Sequence, residues 1–376
     1  MDTSSELVHS LLPVFLATGL GASMTTIGLV EGVAEAATAI TKVFSGALSD
    51  YLGKRKLLVV LGYGLGALTK PFFPLAASVS WVFGARFVDR VGKGLRGAPR
   101  DALVADLTPE ALRGAAYGLR QALDTVGAVM GPLLALLLMA TLASDVRAVL
   151  WAATLPALLS VLLLVVFVRE PPDVPARRVR LPIAPTELAR LPRRYWIIVA
   201  LGSVLTLARF SEAFLVLRAS GVGLRLAWVP VVLIVMNVVY ALAAYPAGVA
   251  ADHVSRRTLL AAGLAVLIAA DVVLAAAPGV WAVLAGVALW GLHMGLTQGL
   301  LAALVAATAP ADLRGTAFGV FNLVTGLFVL IASVLAGALW SAFGPPATFL
   351  AGAAFAAVAL LGIALWAPQL RPERSH

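Results

Sequence analysis

Apolar positions in this chain come in long unbroken runs, not in strict alternation. LLVVLGYGLGALTKPFFPLAA (57–77), AVLWAATLPALLSVLLLVVFV (148–168) and TLLAAGLAVLIAADVVLAAA (258–277) are three of them. A helix needs about twenty such residues to cross a hydrocarbon core roughly 30 Å thick. The pattern predicts helical spans near 3–20, 26–48, 57–77, 79–98, 116–139, 147–168, 195–217, 228–249, 258–276, 281–304, 317–339 and 347–366, with no soluble domain left over.

Composition agrees. The 376 residues are 61% hydrophobic and 12% charged, against about 45–50% and roughly 25% in a soluble domain. The fold class is therefore an all-α membrane protein. No cleavable signal with a small-residue cut site is visible. The absence of cysteine excludes disulfides and thiolate chemistry, and the four histidines form no HxxxH or HExxH pair, so no metal or cofactor is expected.

The net charge of +9 is topological. Lys54, Arg55 and Lys56, Arg113, the arginines of 169–194, Arg256 and Arg257, Arg314, Arg371 and Arg374 all fall in even-numbered connections or the tail, and the odd-numbered gaps are nearly bare. The positive-inside rule then places both termini and the central linker in the cytoplasm and the chain in the inner (cytoplasmic) membrane. Nucleic acid is not an expected partner. The first span is tight, with Asp2 and Glu6 at or inside the membrane edge, which favours a native start upstream.

The halves repeat. SGALSDYLGKRKLL (45–58) aligns with AGVAADHVSRRTLL (247–260), and LRGAAYGL (112–119) with LRGTAFGV (313–320), at offsets of 202 and 201. This gives an N-terminal six-helix unit (1–168), an Arg-rich linker (169–194) and a C-terminal unit (195–376), the plan of a two-bundle transporter with a central site. Gly46, Asp50, Gly53, Lys54 and Arg55, with Gly248, Asp252, Arg256 and Arg257 in the second half, resemble the signature after the second helix of the major facilitator superfamily. The resemblance implies two pseudo-symmetric six-helix bundles around a cavity, alternating access, and a conformational role for this motif.

Residues 86–106, RFVDRVGKGLRGAPRDALVAD, hold five basic and three acidic side chains. Arg86, Asp89 with Arg90, Lys93, Arg96 and Arg100 with Asp101 recur at helical spacing and share one face. A charge in hydrocarbon costs roughly 2.5–3.5 kcal/mol even on insertion scales, so the face must meet counter-charges or water. Arg120 and Asp124 on the fifth span are the expected partners. The expectation is a polar cavity wall with Arg86 and Asp124 deepest, with Arg90, Lys93, Arg100 and Asp101 divided between that wall and an ion-paired gate. In the superfamily an arginine at the place of Arg86 is associated with proton coupling, although Asp89 stands where glutamine is usual. Gly118, Gly127, Gly131 and Pro132 resemble the fifth-helix motif associated with antiporters and read as a packing element.

Further ionisable groups lie inside the apolar runs. Glu31 and Glu35 share a face of the second span with Thr38 and Lys42, and a buried carboxylate without a partner is suited to carrying a proton. Glu35, Glu31 and Asp124 are thus the proton-coupling candidates. Arg209 and Glu212 read as a local pair lining the cavity, and Asn237, Tyr240, His293 and Gln298 as further lining groups; Asp271 reads as gating or packing. The leading expectation is not an enzyme but a proton-coupled antiporter exporting a small organic compound, working as a monomer. An importer of an organic anion is the alternative, and a transport-inactive assembly factor or metal transporter lies further back.

Overall fold

The computed structural model describes residues 1–52, 54–109, 112–170, 185–310 and 313–365. Gly53, most of the 169–194 linker, and Arg371 and Arg374 of the tail lie outside the described residues, as do the side chains of Asp50, Asp252 and Gln298. Among the described residues there is no strand.

Twelve spans follow in order. The first is the helix Asp2–Val14 continued by a π turn, Phe15–Gly19; the second is Met24–Leu52; the third Arg55–Thr69 with the short Phe72–Leu75; the fourth Val79–Leu107; the fifth Arg113–Thr141; the sixth Val146–Ala152 with Thr154–Phe167. The seventh is two helices, Arg193–Leu207 and Ala213–Gly221; the eighth is Val231–His253 after a 3-10 turn Leu226–Trp228; then come Arg256–Ala276, Val280–Thr308, Arg314–Phe343 and Pro345–Leu365. Eight of these are apolar and long enough to cross a membrane on composition alone. The other four, the first, second, fourth and seventh, carry ionised side chains or a break, and all four line the central cavity.

The two halves meet along the second and eleventh spans. A side chain at Gly28 would collide with the Ser333 carbonyl, and one at Gly337 with that of Met24, so glycine is what lets these backbones touch. Thr25 Oγ1 donates to Ser341 Oγ at 3.0 Å and to the Gly337 carbonyl at 3.3 Å, closing the outer end of the seam. The two spans stay in contact as far as Ala39 and Gly326, where a Cβ on the glycine would strike the alanine.

Within each half the outer turns are fastened by an arginine. Arg147 donates to the carbonyls of Pro74 and Ala76 at 2.7 and 3.0 Å. Arg218 does the same for Leu274 and Ala277, both at 2.9 Å. These bonds satisfy carbonyls that the helix ends leave open.

The interiors differ in kind. Phe210, Phe214, Trp290, Trp340 and Phe349 form a chain of rings in the C-terminal half, with centroids 5.3–6.1 Å apart. The ring cluster surrounds the break in the seventh span, where the Ser211 amide donates to Ser333 Oγ at 3.2 Å instead of to a helical carbonyl. The N-terminal half is threaded by ion pairs.

Candidate functional site

A cavity of about 760 Å³ lies between the halves. Its N-terminal wall is charged. Asp2, Glu6 and His9 come from the first span, Glu35, Thr38 and Lys42 from the second, Arg90, Lys93, Arg96 and Arg100 from the fourth, and Gln121, Asp124 and Thr125 from the fifth. The C-terminal wall holds Thr206, Arg209, Phe210, Ser211 and Glu212 from the broken seventh span, Asn237 and Tyr240, Trp290 and Met294, and Phe321, Asn322 and Thr325.

Helical spacing explains the charged wall. Glu35, Thr38 and Lys42 descend the second span by three and four residues, as Arg90, Lys93, Arg96, Gly97 and Arg100 descend the fourth. The two helices touch closely: Thr38 Oγ1 donates to the Arg90 carbonyl at 3.2 Å and Ser45 Oγ to that of Gly94 at 3.0 Å. Arg90 Nη1 lies 3.3 Å from Glu35 Oε1, and Arg96 Nη2 lies 3.3 Å from Asp2 Oδ1. Arg100 lies 3.3 Å from Asp124, which Arg120 also reaches at 3.3 Å, while Arg120 meets Asp101 at 3.0 Å. Among the described residues, Lys42, Lys93 and Arg209 face the cavity with no carboxylate within ion-pair distance.

Several expected positions differ. Arg86 does not reach the cavity: it is 1% exposed, packed beyond the cavity's closed end, where Nη2 donates to Glu31 Oε2 at 2.9 Å and meets His9 Nδ1 at 2.9 Å. His9, Glu31 and Asp89 pack around its guanidinium, so a residue on the correct face still lies behind the wall. Asp124 is accordingly not at the deep end beside Arg86 but pairs lower down with Arg100. Asp89 is likewise buried, held by Lys70 Nζ at 2.8 Å from the third span. Lys70, a lysine inside an apolar run with no counter-charge near it in sequence, also donates to Ser5 Oγ at 3.2 Å.

Glu31 and Glu35 are not unpaired, since each has an arginine of the fourth span. Arg209 and Glu212 do not form a local pair. The helix breaks between them, and Glu212 Oε2 instead lies 3.7 Å from His9 Nε2 across the halves. His293 is turned into its own bundle, with Nδ1 2.8 Å from the Gly263 carbonyl, and its neighbours Trp290 and Met294 line the cavity instead. Asn237 Nδ2 donates to the Ala128 carbonyl of the fifth span at 3.1 Å, a further polar link between halves, and Tyr240 lines the wall. Asp271 is fully buried against Gly352 and Phe210.

The motif residues divide similarly. A Cβ at Gly131 would strike the Thr3 carbonyl and Glu6, and Gly127 faces Asp2, so these two seat the first span; Gly118 faces open space. Pro132 continues the helix without ending it. Gly46 packs on Ala98, whereas Gly248 meets nothing. Arg55 pairs with Asp106 at 2.9 Å, and its amide donates to Glu170 Oε1 at 2.7 Å; Lys54, Arg256 and Arg257 are exposed.

A family model described as Major Facilitator Superfamily matches residues 2–238 and 217–376. An MFS-type transporter of Methanocaldococcus jannaschii is 33% identical over 367 residues, covering 95% of this chain and 89% of its own. The quinolone resistance protein NorA of Staphylococcus aureus is 28% identical over 126 residues, 34% of this chain and 32% of its own. Among solved structures, a bacterial homologue of the human lysosomal transporter Spinster, in an inward-facing and occupied conformation, superposes with a TM-score of 0.81 at 16% identity, covering 100% and 96% of the two chains. A D-xylose–proton symporter gives 0.75 at 16% identity, covering 99% and 98%. With both halves matched and a relative aligned along nearly the whole length, this chain belongs to the major facilitator superfamily of membrane transporters.

Proposed function

We propose that the protein is a secondary active transporter that exchanges protons for a small organic compound bearing an acidic group, exporting it from the cytoplasm by alternating access. One observation carries the reading: the cavity sets unpartnered Lys42 and Lys93 on one wall opposite Arg209, Phe210, Tyr240 and Trp290 on the other. Free cations in a site of restricted water attract an anionic group, and the rings provide an apolar surface for the rest of the molecule. Arg90 is shared between Glu35 and any anion entering the cavity, so protonating Glu35 and binding the compound are linked through one guanidinium.

Direction is supported by two points. The cavity lining runs to Arg100 and Gln121, toward the face of the basic connections that the positive-inside rule makes cytoplasmic, while Glu31 and Arg86, nearer the other face, are buried. One aligned relative is named for drug resistance, in keeping with outward transport. The test is reconstitution into liposomes with an imposed pH gradient and a panel of aromatic carboxylates, sulfonates and uncharged analogues. Acidic compounds are expected to evoke proton flux against their own movement, Glu35→Gln to abolish it and Lys93→Gln to shift it to higher compound concentrations. Flux with only uncharged compounds would overturn the anion assignment, and proton movement in the same direction as the compound would overturn export.

A further inference from the structure

His9 occupies an unusual place. Its ring sits at the closed end of the cavity, 7% exposed, with one nitrogen facing each half of the molecule. Nδ1 is 2.9 Å from Arg86 Nη2 on the N-terminal side, and Nε2 is 3.7 Å from Glu212 Oε2 on the C-terminal side. A guanidinium has donors only, so Nδ1 must present its lone pair to Arg86. A ring that accepts from Arg86 in this way is the neutral tautomer with its proton on Nε2, directed at Glu212.

On this ring an added proton has one place to go. On Nδ1 it sets an N–H against the N–H of Arg86, and that hydrogen bond is lost. Arg86 keeps its 2.9 Å bond to Glu31, while the imidazolium Nδ1 lies 3.9 Å from the same carboxylate oxygen. On the opposite edge the charged ring now forms an ion pair with Glu212. Protonation thus removes a bond inside one bundle and strengthens one between bundles, at the end of the molecule that is shut here.

We infer that His9 is the group through which a proton sets the conformation: charged, it ties the first span to the seventh and favours the arrangement with the cavity open to the basic face; neutral, it lets the outer end part. The inference rests on the proton-exchange reading above and gives it a sequence. A proton taken from outside returns the carrier inward, and its release permits the loaded carrier to turn outward.

The surroundings leave the ring as the group to test. Glu31 and Glu35 approach from the second span, Arg86 and Arg90 from the fourth, and Arg209 and Glu212 from the seventh, with Glu6 on its own helix; Asp124 is the charged group the fifth span brings to the same cavity. Each of the carboxylates Glu31 and Glu35 already has an arginine, whereas His9 has a bond that a proton destroys.

The chain has no cysteine, so spin labels can be placed at will. Tyr51→Cys and Val254→Cys put them on exposed positions at the cavity-mouth ends of the second and eighth spans. In lipid nanodiscs without substrate, electron–electron distances are recorded from about pH 8 to pH 5, the range in which imidazoles titrate. The wide-mouth population is expected to rise several-fold as pH falls. His9→Gln, whose amide can accept from Arg86 and donate toward Glu212, should keep both distance populations and lose the pH response; Glu212→Gln should weaken it at least by half. An undiminished response in His9→Gln, or none in the parent, overturns the inference. Liposome proton flux separates it from the transport reading: no compound-evoked flux with a histidine-dependent response sinks transport alone, and normal flux with an indifferent His9→Gln sinks the role of His9 alone.

Discussion

The two halves solve the same packing problem with opposite chemistry. The N-terminal bundle buries Glu31, Lys70, Arg86, Asp89 and Arg90 in one ion-paired web, with Arg96 buried beside it and paired to Asp2. The C-terminal bundle reaches the same architecture with a ring cluster around Phe210 and Trp290. A web of charges is stable only while complete, because removing one member strands another in a medium that solvates it poorly. A ring cluster loses contacts singly. The repeat therefore conserves shape, while polarity is concentrated where the cavity needs a charged wall.

This contrast is open to direct attack. Asp89→Ala strands Lys70 and should cost about 3–5 kcal/mol, seen as a large fall in thermal stability in detergent; Lys70→Met with Asp89→Leu should recover most of it. If Asp89→Ala costs no more than about 1–2 kcal/mol, the range for weakening a ring contact such as Phe349→Leu, the distinction between the halves fails. In substrate binding, Lys93→Gln and Arg209→Gln should each raise the half-saturating concentration of an acidic compound about tenfold or more, as loss of a charged hydrogen bond of about 1.5–3 kcal/mol implies. Thr325→Val should change it far less. At the seam, Gly28→Leu should reduce crosslinking of a Thr25→Cys, Ser341→Cys pair several-fold without a comparable loss of fold stability. Smallest of all, Arg256→Gln with Arg257→Gln should leave stability within about 0.5 kcal/mol, whereas Arg55→Gln should cost about 1 kcal/mol through Asp106.

The sequence disclosed the spans, the repeat and the charged face of the fourth helix, because those depend on period and on the cost of charge in hydrocarbon. It did not disclose depth. Arg86 and Arg90 lie on one stripe four residues apart, yet Arg90 lines the cavity and Arg86 is sealed behind it, since the closed outer seam comes from spans far away in the chain. Partnerships across spans were hidden for the same reason: nothing local joins His9 to Glu212 or Lys70 to Asp89. The break after Leu207 was also missed. ARFSE continues a helical pattern, and it is the Ser333 hydroxyl and the surrounding rings that make leaving the helix acceptable there.

The arginine fastenings of the outer turns have a mechanical corollary. Arg147 binds only carbonyls of the N-terminal half and Arg218 only those of the C-terminal half. In the alternating-access cycle proposed above neither would have to let go as the halves tilt, so each rim would stay stiff. A stiff rim would act as a lever arm: the displacement of the first span against the seventh inferred above would arrive at the other membrane surface as a swing of whole helices, with little of the stroke lost to bending on the way.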